Sequence, residues 1–382
     1  MSNILSLALY YLLFLLSAVF AFVVERRDEL TDSRWIFRFN QRYLKIDPIK
    51  TVSWLLLLFF PVFMASIRHG IGTDYDQYEV IYTRNSNIDI GSLSSVSSQP
   101  TEYISNVMYK IAFLLFGDFH GYLFIASLIT IWVAFVAMHY FSSEISFSLS
   151  VLSYLCLCYA PSLNIIRQMM AVSVVFFGLR YITMRKPIRY IITIVIATFF
   201  HTTALFALPF YFLQVKDGKH AKLKHIIISV FCLLIPFFFG KAFAIFTSIP
   251  IFSSYYGFFY SSDYGFLHVT DIVFRLPVAL VILAFRKRLE AKNEHNRLFE
   301  LLFLMEFISL GLTYYNKWLY RLMYYCIPGE IVLVSQLPHC VSSNNKRIIS
   351  IGIVLYYIAF FFLNNFIRGV DEVFPFTTLT FQ

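Results

Sequence analysis

Charged residues are scarce in this chain. Only 14% of its 382 residues are Asp, Glu, Lys or Arg, while 59% are hydrophobic and 19% aromatic. A soluble domain carries about 25% charged residues, so this composition excludes a soluble globular protein. Glycine (14), proline (12) and cysteine (5) are too few for a collagen-like chain, a disordered chain or a disulfide-stabilised secreted scaffold. What remains is a polytopic helical membrane protein.

Several catalytic sequence patterns are also missing. The chain has no Walker A motif, which argues against ATP hydrolysis, and no G-x-S-x-G or H-E-x-x-H pattern. Its five cysteines do not follow a zinc-binding spacing. We therefore expect neither a bound metal nor a cofactor.

The formal net charge is +9, from 31 Lys and Arg against 22 Asp and Glu. In a soluble protein this excess would suggest nucleic acid as a partner. In a membrane protein Lys and Arg accumulate in cytoplasmic loops, so the charge orients the chain instead. We expect no nucleic-acid partner.

Apolar runs of membrane-spanning length recur along the chain. A helix needs about 20 apolar residues to cross the hydrocarbon layer, and these runs are too long for barrel strands. We predict an all-α, polytopic transmembrane fold with about 10 to 12 spans, in a single integral membrane domain over residues 1–382. The candidate spans are 4–24, 51–67, 121–141, 163–183, 188–213, 225–247, 270–285, 298–315, 318–337 and 348–364, with shorter runs at 103–116 and 147–161.

Basic residues orient these spans. Residues 25–50 contain seven Lys and Arg, which predicts a cytoplasmic segment. The loop after the second span, 68–102, is then expected to face outward, as is 248–269. Three further basic stretches agree with this orientation as cytoplasmic segments, namely 216–224, 286–297 and Lys346-Arg347.

One basic turn conflicts with a simple count of spans. If every apolar run from 103 to 213 crosses once, Arg185, Lys186 and Arg189 lie outside, against the positive-inside rule. Two changes remove the conflict. One short run, 103–116 or 147–161, would be re-entrant, and the long run 188–213 would be broken near His201.

The outward loop after the second span combines groups that suit a polar or anionic ligand. Arg68, Asp74, Tyr75 and Tyr78 lie within eleven residues that also contain two glycines able to turn the backbone tightly. The alternative is a solvated loop with a snorkelling arginine. Asp74 and Asp76 have a spacing that can hold Mg²⁺ beside a diphosphate. That spacing is common, and we do not predict a metal site from it.

Ionisable residues next to apolar runs are costly and therefore candidates for function. Glu102 precedes 103–116, where it either faces a cavity or favours a helix N-terminus. Arg167, with Asn164 and Gln168 beside it, opens a span after a proline and suits bidentate binding of phosphate, with snorkelling as the alternative. His201 interrupts an uncharged run and is either a helix–helix hydrogen-bond partner or an acid, base or phosphate ligand.

Two further arginines lie in the C-terminal half. Arg275 follows Asp271 by four residues, which favours an intrahelical pair. Arg321 lies among tyrosines and other aromatic residues near the expected outer face. The outward loop 248–269 is rich in Ser, Tyr and Phe, a composition shared by sugar-binding surfaces and by interfacial aromatic belts.

Taken in order, these residues resemble a known family. The set Arg68-x-Gly-x-Gly-Thr-Asp74-Tyr75-x-x-Tyr78, Glu102, Asn164-x-x-Arg167-Gln168 and Phe200-His201-Thr202 is similar to the EpsG-like and Wzy-type polysaccharide polymerases. The resemblance is good over residues 50–215 and looser in the C-terminal part, through Arg321 and its tyrosines. No single motif carries it.

The resemblance implies a reaction and a location. Members are bacterial inner-membrane proteins of O-antigen and exopolysaccharide assembly that join undecaprenyl-diphosphate-linked repeat units at the periplasmic face. It implies that Arg68, Arg167 and Arg321 bind the diphosphate or glycan, and that Asp74, Glu102 or His201, in that order, is the base. Membrane lipids, a chain-length regulator and a flippase of the same pathway are the expected partners.

Two other functions remain open. A flippase or transporter for lipid-linked oligosaccharide would typically show repeats and interrupted spans in two matching halves, and no internal repeat is visible. A membrane O-acyltransferase acting on surface glycan would use His201 as its base, but the chain has no separate signature for an acyl donor.

Overall fold

The computed structural model describes residues 1–30, 35–39, 42–86, 102–214, 221–248, 269–315 and 317–378. Helices make up nearly all of it, and five are long and apolar enough to cross a membrane: Asn3–Glu29, Pro48–Ile67, Phe119–Tyr140, Phe147–Asn164 and Ser343–Ile367. The predicted all-α, polytopic class is confirmed. A short antiparallel pair, β1 (Trp35–Phe39) and β2 (Arg42–Ile46), lies between the first two helices.

The chain divides into two compact units, residues 1–205 with 341–382, and residues 206–340. The single integral membrane domain stays a prediction. The expected cytoplasmic segment 25–50 and outward loop 68–102 are described in part. The expected outward loop 248–269 lies almost entirely outside the described residues.

Among its described residues, the first unit contains nine α-helices. They are α1 (Asn3–Glu29), α2 (Pro48–Ile67), α3 (Tyr75–Ser86), α4 (Tyr103–Phe116), α5 (Phe119–Tyr140), α6 (Phe147–Asn164), α7 (Ile166–Thr183), α8 (Pro187–Phe200) and, after the second unit, the helix Ser343–Phe361. A 3-10 helix follows α8 at Thr202–Leu213, and the boundary between the units falls inside it.

Polar contacts gather at two opposite ends of the first unit. At one end, here called the Asp28 end, Asp28 contacts Lys50 and His139, and the Ser148 N–H donates to Glu25 Oε2 at 3.2 Å. Nearby, the Arg27 guanidinium holds the Asp47 carboxylate at 2.7 Å, which lowers the pKa of Asp47. These residues belong to or adjoin the basic segment 25–50, so the positive-inside rule assigns this end to the cytoplasm.

The other end, here called the Asn164 end, collects the termini of the same helices. His69, after α2, exchanges hydrogen bonds with Thr377. His120, at the start of α5, contacts the Ser66 carbonyl through Nδ1 at 2.8 Å. The last residue of α6, Asn164, lies here as well.

The contacts at the two ends resolve the conflict at Arg185. Glu102, directly before α4, pairs with Arg167, three residues after Asn164, and α4 ends at Gly117, next to the start of α5. Both ends of α4 therefore lie at the Asn164 end, which indicates that the run 103–116 does not cross. The run 188–213 is broken at His201, as predicted. With these two changes α7, about 27 Å long, carries the chain to Arg185 at the Asp28 end.

The C-terminal segment packs back onto this unit. Tyr10 of α1 donates a hydrogen bond to the Val373 carbonyl, and Ser6 accepts one from the Phe376 N–H. The Tyr10 ring also contacts the rings of Phe374 and Phe376. This segment, residues 369–378, is therefore anchored at the Asn164 end.

In the described part of the second unit the α-helices are α9 (Ala221–Thr247), α10 (Val269–Lys292), α11 (Asn296–Leu312) and α12 (Ile327–Gln336). Arg275 of α10 is buried and pairs with Glu306, and it lies 3.9 Å from Glu330. The predicted contact with Asp271 is made through the Asp271 carbonyl. The carboxylates that compensate the buried guanidinium therefore include two from other helices.

The assignment of the two ends predicts a labelling pattern. Four of the five native cysteines are buried, so the Cys340→Ser variant should show little maleimide labelling of its own. Lys186 and Glu372 are exposed at the Asp28 and Asn164 ends respectively. We expect an impermeant maleimide outside right-side-out vesicles to label Glu372→Cys but to label Lys186→Cys only after permeabilisation. Labelling of Lys186→Cys in intact vesicles would contradict the assignment.

Candidate functional site

Three of the predicted site residues meet at one carboxylate. Glu102, directly before α4, is fully buried. Its Oε2 lies 2.7 Å from Arg167 Nη1, and its Oε1 lies 2.6 Å from His201 Nδ1. The Thr202 N–H also donates to Oε1 at 3.4 Å. We call Glu102, Arg167 and His201 the Glu102 site.

Two breaks in the helical backbone position this site. Arg167 lies in the first turn of α7, because α6 ends at Asn164 and Ile165 interrupts the helix. His201 follows α8 in an extended conformation (φ −155°, ψ 125°). The Ser105 hydroxyl of α4 donates to the Phe200 carbonyl at 2.9 Å, which ties the end of α8 to the start of α4.

The site places its negative charge inside and its basic groups toward the surface. The Glu102 side chain is 1% exposed, whereas those of Arg167 and His201 are 14% and 22% exposed. A buried carboxylate is costly unless it is paired, and here both of its oxygens have a basic partner. The basic groups keep a face that a ligand can reach.

Arg167 and His201 each keep polar atoms that do not contact Glu102. Arg167 uses Nη1 on Glu102, while its Nε is buried and has no hydrogen-bond partner among the described residues. A guanidinium can still offer donors to a phosphate. Glu102 favours the His201 tautomer with the proton on Nδ1, which leaves Nε2 as the nitrogen for proton transfer. The site can therefore bind an anion and accept a proton.

Tyrosines surround the guanidinium of Arg167. It lies 5.6 Å from the centre of the Tyr78 ring, a cation–π distance, and Tyr78 is buried. Tyr109 and Tyr122 are fully buried and pack against each other with ring centres 4.3 Å apart. Because phenol rings are bulky and neutral, they restrict how far the guanidinium can move.

Arg68 has a different environment. It is 1% exposed, and its guanidinium donates to the backbone carbonyls of Ala65 and Leu163, the latter at 3.1 Å. These contacts join the end of α2 to the end of α6. Tyr75 is also buried, with its hydroxyl 3.4 Å from His69 Nδ1. Ligand binding by either residue stays a prediction.

Asn164 fixes the glycine-containing loop onto the break between α6 and α7. Its Oδ1 accepts from the Thr73 hydroxyl at 2.6 Å and from the Asp74 N–H at 3.1 Å. Gly72 has a φ of +96°, and a Cβ there would lie 3.0 Å from the Leu163 carbonyl oxygen. The predicted tight turn is confirmed, and it holds Asp74 beside the break that carries Arg167.

Two other predicted residues are placed as follows. Gln168 is buried in the first turn of α7, next to Arg167 in the sequence. Arg321 lies in the 3-10 helix Lys317–Tyr325 of the second unit. Within the described residues, no group of three or more His, Cys, Asp or Glu side chains is placed to hold a metal ion.

Asp371 is a site residue that the sequence did not reveal. Its Oδ1 accepts from Asn164 Nδ2 at 2.9 Å, across 207 positions of sequence. Asp371 is buried and has a left-handed backbone (φ 68°), which non-glycine residues seldom adopt. The only available signal was an aspartate in an apolar C-terminal stretch, and that does not indicate its partner.

The fold and the site define a class, a polytopic helical membrane protein with a buried Arg–Glu–His site at one end of its first unit. The family model of the EpsG family matches residues 51–378, so the chain belongs to the EpsG family. This family is associated with a membrane polymerase-like activity of the glycosyltransferase type. No curated protein and no solved structure matched the chain.

The contact between Asn164 and Asp371 predicts a stability difference. Asp371→Ala leaves a buried amide without an acceptor and should lower the free energy of unfolding by about 1–3 kcal/mol. Asp371→Asn keeps an acceptor oxygen and should recover most of the loss. Glu372→Ala is the matched control, because Glu372 is exposed and also has a positive φ (50°). Denaturant unfolding in detergent measures all three, and equal losses for the two alanine variants would refute the proposed contact.

Proposed function

We propose that the protein joins lipid-linked oligosaccharide repeat units into O-antigen or exopolysaccharide at the periplasmic face of the bacterial inner membrane. The donor is a glycan on undecaprenyl diphosphate, and the acceptor is the non-reducing sugar of a second lipid-linked unit. Membership of the EpsG family supports a glycan polymerase of this kind. The positive-inside assignment, which puts the Asn164 end outside, supports the location.

The observation that carries the proposal is the joining of Arg167 and His201 through Glu102. Glycosyl transfer from a diphosphate needs a cation for the leaving group and a base for the attacking hydroxyl. A guanidinium and an imidazole on the two oxygens of one carboxylate supply both within a few ångströms.

In the proposed step, the acceptor hydroxyl oxygen bonds to the anomeric carbon of the donor sugar while the bond from that carbon to the diphosphate oxygen breaks. The hydroxyl proton passes to His201 Nε2, and Glu102 stabilises the imidazolium. Arg167 stabilises the charge on the departing undecaprenyl diphosphate. The proton then leaves to water, which restores the neutral imidazole.

This assignment changes the order of candidate bases. Asp74 was the first candidate from the sequence, and its backbone N–H is bound to Asn164. Glu102 is buried and compensated on both oxygens, which suits a positioning role. His201 has one nitrogen on the carboxylate and remains 22% exposed, which suits the base.

The other predicted ligands take supporting roles in this proposal. Asn164 holds the glycine-containing loop, Arg68 joins the end of α2 to the end of α6, and the Tyr78 ring lies at a cation–π distance from the Arg167 guanidinium. Arg321 and Gln168 remain candidate glycan ligands. A chain-length regulator and a flippase of the same pathway remain candidate partners.

The direct test is polymerisation by purified protein supplied with one lipid-linked repeat unit, with products separated by size on a gel. We expect a ladder from the wild type. Arg167→Ala should slow elongation about 100-fold or more, because it removes a charge aimed at the leaving group. His201→Gln should slow it by a similar factor through loss of the base. Arg84→Ala, an exposed arginine on α3, should leave the ladder unchanged.

Three results would count against the proposal. An unchanged ladder with Arg167→Ala would remove the proposed role of that residue. Movement of the lipid-linked unit across vesicles without elongation would favour a flippase. Transfer of an acyl group to glycan, with no change in chain length, would favour an O-acyltransferase.

A further inference from the structure

A cavity of about 240 Å³ lies inside the second unit, between α9, α10 and α11. Most of its lining is apolar, and one lining residue, Leu283, is 64% exposed, so the cavity reaches the protein surface. Its polar lining consists of His225 and Ser229 from α9, Arg286 from α10 and Glu300 from α11.

The cavity is polar at one end and apolar at the other. Four lining residues on each of α10 and α11 follow the i, i+3, i+4, i+7 spacing of one helix face, and Leu301 of α11 adds to the lining. Along each helix, seven residues separate the charged end of the cavity from its most apolar end, a distance of about 10 Å. The charged ends adjoin the basic segment 286–297, so the positive-inside rule assigns them to the cytoplasmic side. The residues are Ala279, Ile282, Leu283 and Arg286 on α10, and Glu300, Phe303, Leu304 and Phe307 on α11.

Two buried polar atoms at the charged end lack a partner. Arg286 Nε lies 3.1 Å from Glu300 Oε2 and 3.0 Å from Glu290 Oε1, and its Nη2 lies 3.4 Å from His225 Nε2. Glu300 Oε1 and His225 Nδ1 have no hydrogen-bond partner among the described residues, although the two side chains are only 9% and 7% exposed. Buried polar atoms normally have partners, so these two point to a ligand.

The unpartnered carboxylate oxygen indicates what this ligand carries. Glu290 and Glu300 share the Arg286 guanidinium, and Glu300 Oε1 is left without a hydrogen-bond partner among the described residues. The unpartnered Glu300 oxygen accepts hydrogen bonds only, so a cationic donor such as a primary ammonium fits it. Lys287 and Arg288, which are exposed and directly follow Arg286 on α10, offer cations for a phosphate at the membrane interface.

We propose that this cavity binds an aminophospholipid, phosphatidylethanolamine, from the cytoplasmic leaflet. Its ammonium group donates to Glu300 Oε1, its phosphate lies near Lys287 and Arg288, and the first part of one acyl chain enters the apolar end. The cavity is smaller than the roughly 300–1,000 Å³ of pockets that enclose whole ligands. The remaining chain length therefore stays in the bilayer, which the exposed Leu283 borders.

The test uses the full-length protein in nanodiscs that contain equal amounts of ethanolamine, glycerol and choline phospholipids with identical chains. Native mass spectrometry after release counts the retained lipids. We expect phosphatidylethanolamine to be retained about tenfold over the choline lipid, as loss of a hydrogen bond to a charged group implies. Glu300→Gln should abolish this preference, and Ala279→Phe, which fills the apolar end, should lower retention of all three lipids.

Glu29→Gln is the matched control, since that carboxylate is 60% exposed and remote in sequence, and it should keep the preference. Equal retention of the three lipids by the wild type would overturn the proposal and leave a cavity that holds water only. Preference for the glycerol lipid would overturn it in favour of an anionic head group. If Glu300→Gln does not fold, Ala279→Phe with unchanged retention would also contradict it.

Discussion

The helix arrangement of the first unit depends on the pairing of one buried carboxylate with basic groups. Glu102 is fully buried, and a bare carboxylate there would cost several kcal/mol, so the fold must bring basic groups to it. Those groups come from the start of α7 and the end of α8. To reach Glu102, α8 must stop at Phe200 rather than continue into the next apolar residues. The same contacts keep the start of α4 at the Asn164 end.

A second set of contacts, at the break between α6 and α7, supports this arrangement. Asn164 ends α6 one residue before the break, and it holds the glycine-containing loop on one side and Asp371 of the C-terminal segment on the other. Arg68 fixes the same break through the Leu163 carbonyl. The position of Arg167 therefore depends on three segments that are distant in sequence. In the proposed reaction, this rigidity keeps the guanidinium aimed at the leaving diphosphate.

Hydropathy and the cost of burying charge made much of this predictable. The helical class followed from long apolar runs, and Glu102, Arg167 and His201 were singled out because ionisable side chains near a membrane interior are expensive. The rule on basic loops also showed that a simple count of spans fails before Arg185, and a break of 188–213 near His201 was one of the changes that would repair it. These inferences succeed because each depends only on whether one residue or segment is favourable in water or in the membrane interior.

Partners across long sequence separations were not predictable in this way. A single sequence indicates that Arg275 is buried in a span, but the nearest acidic residue in the chain, Asp271, was the natural guess, and Glu306 and Glu330 lie on other helices. Arg68 was expected to bind a ligand, and its hydrogen bonds to the Ala65 and Leu163 carbonyls were not foreseen. Nothing in the sequence indicated that Asp371 contacts Asn164, because the two residues are 207 positions apart. Which residues pair across helices depends on how the helices pack, and the periodicity of a single sequence does not contain that information.

We expect Glu102 and Arg167 to stabilise the first unit only as a pair. The decisive experiment is a double-mutant cycle with Glu102→Gln, Arg167→Gln and the combined variant, read as the free energy of unfolding in detergent. We predict a coupling energy of about 1.5 kcal/mol or more, within the range found for contacting buried pairs. Additive effects of the two substitutions would show that the residues do not depend on each other and would contradict the account.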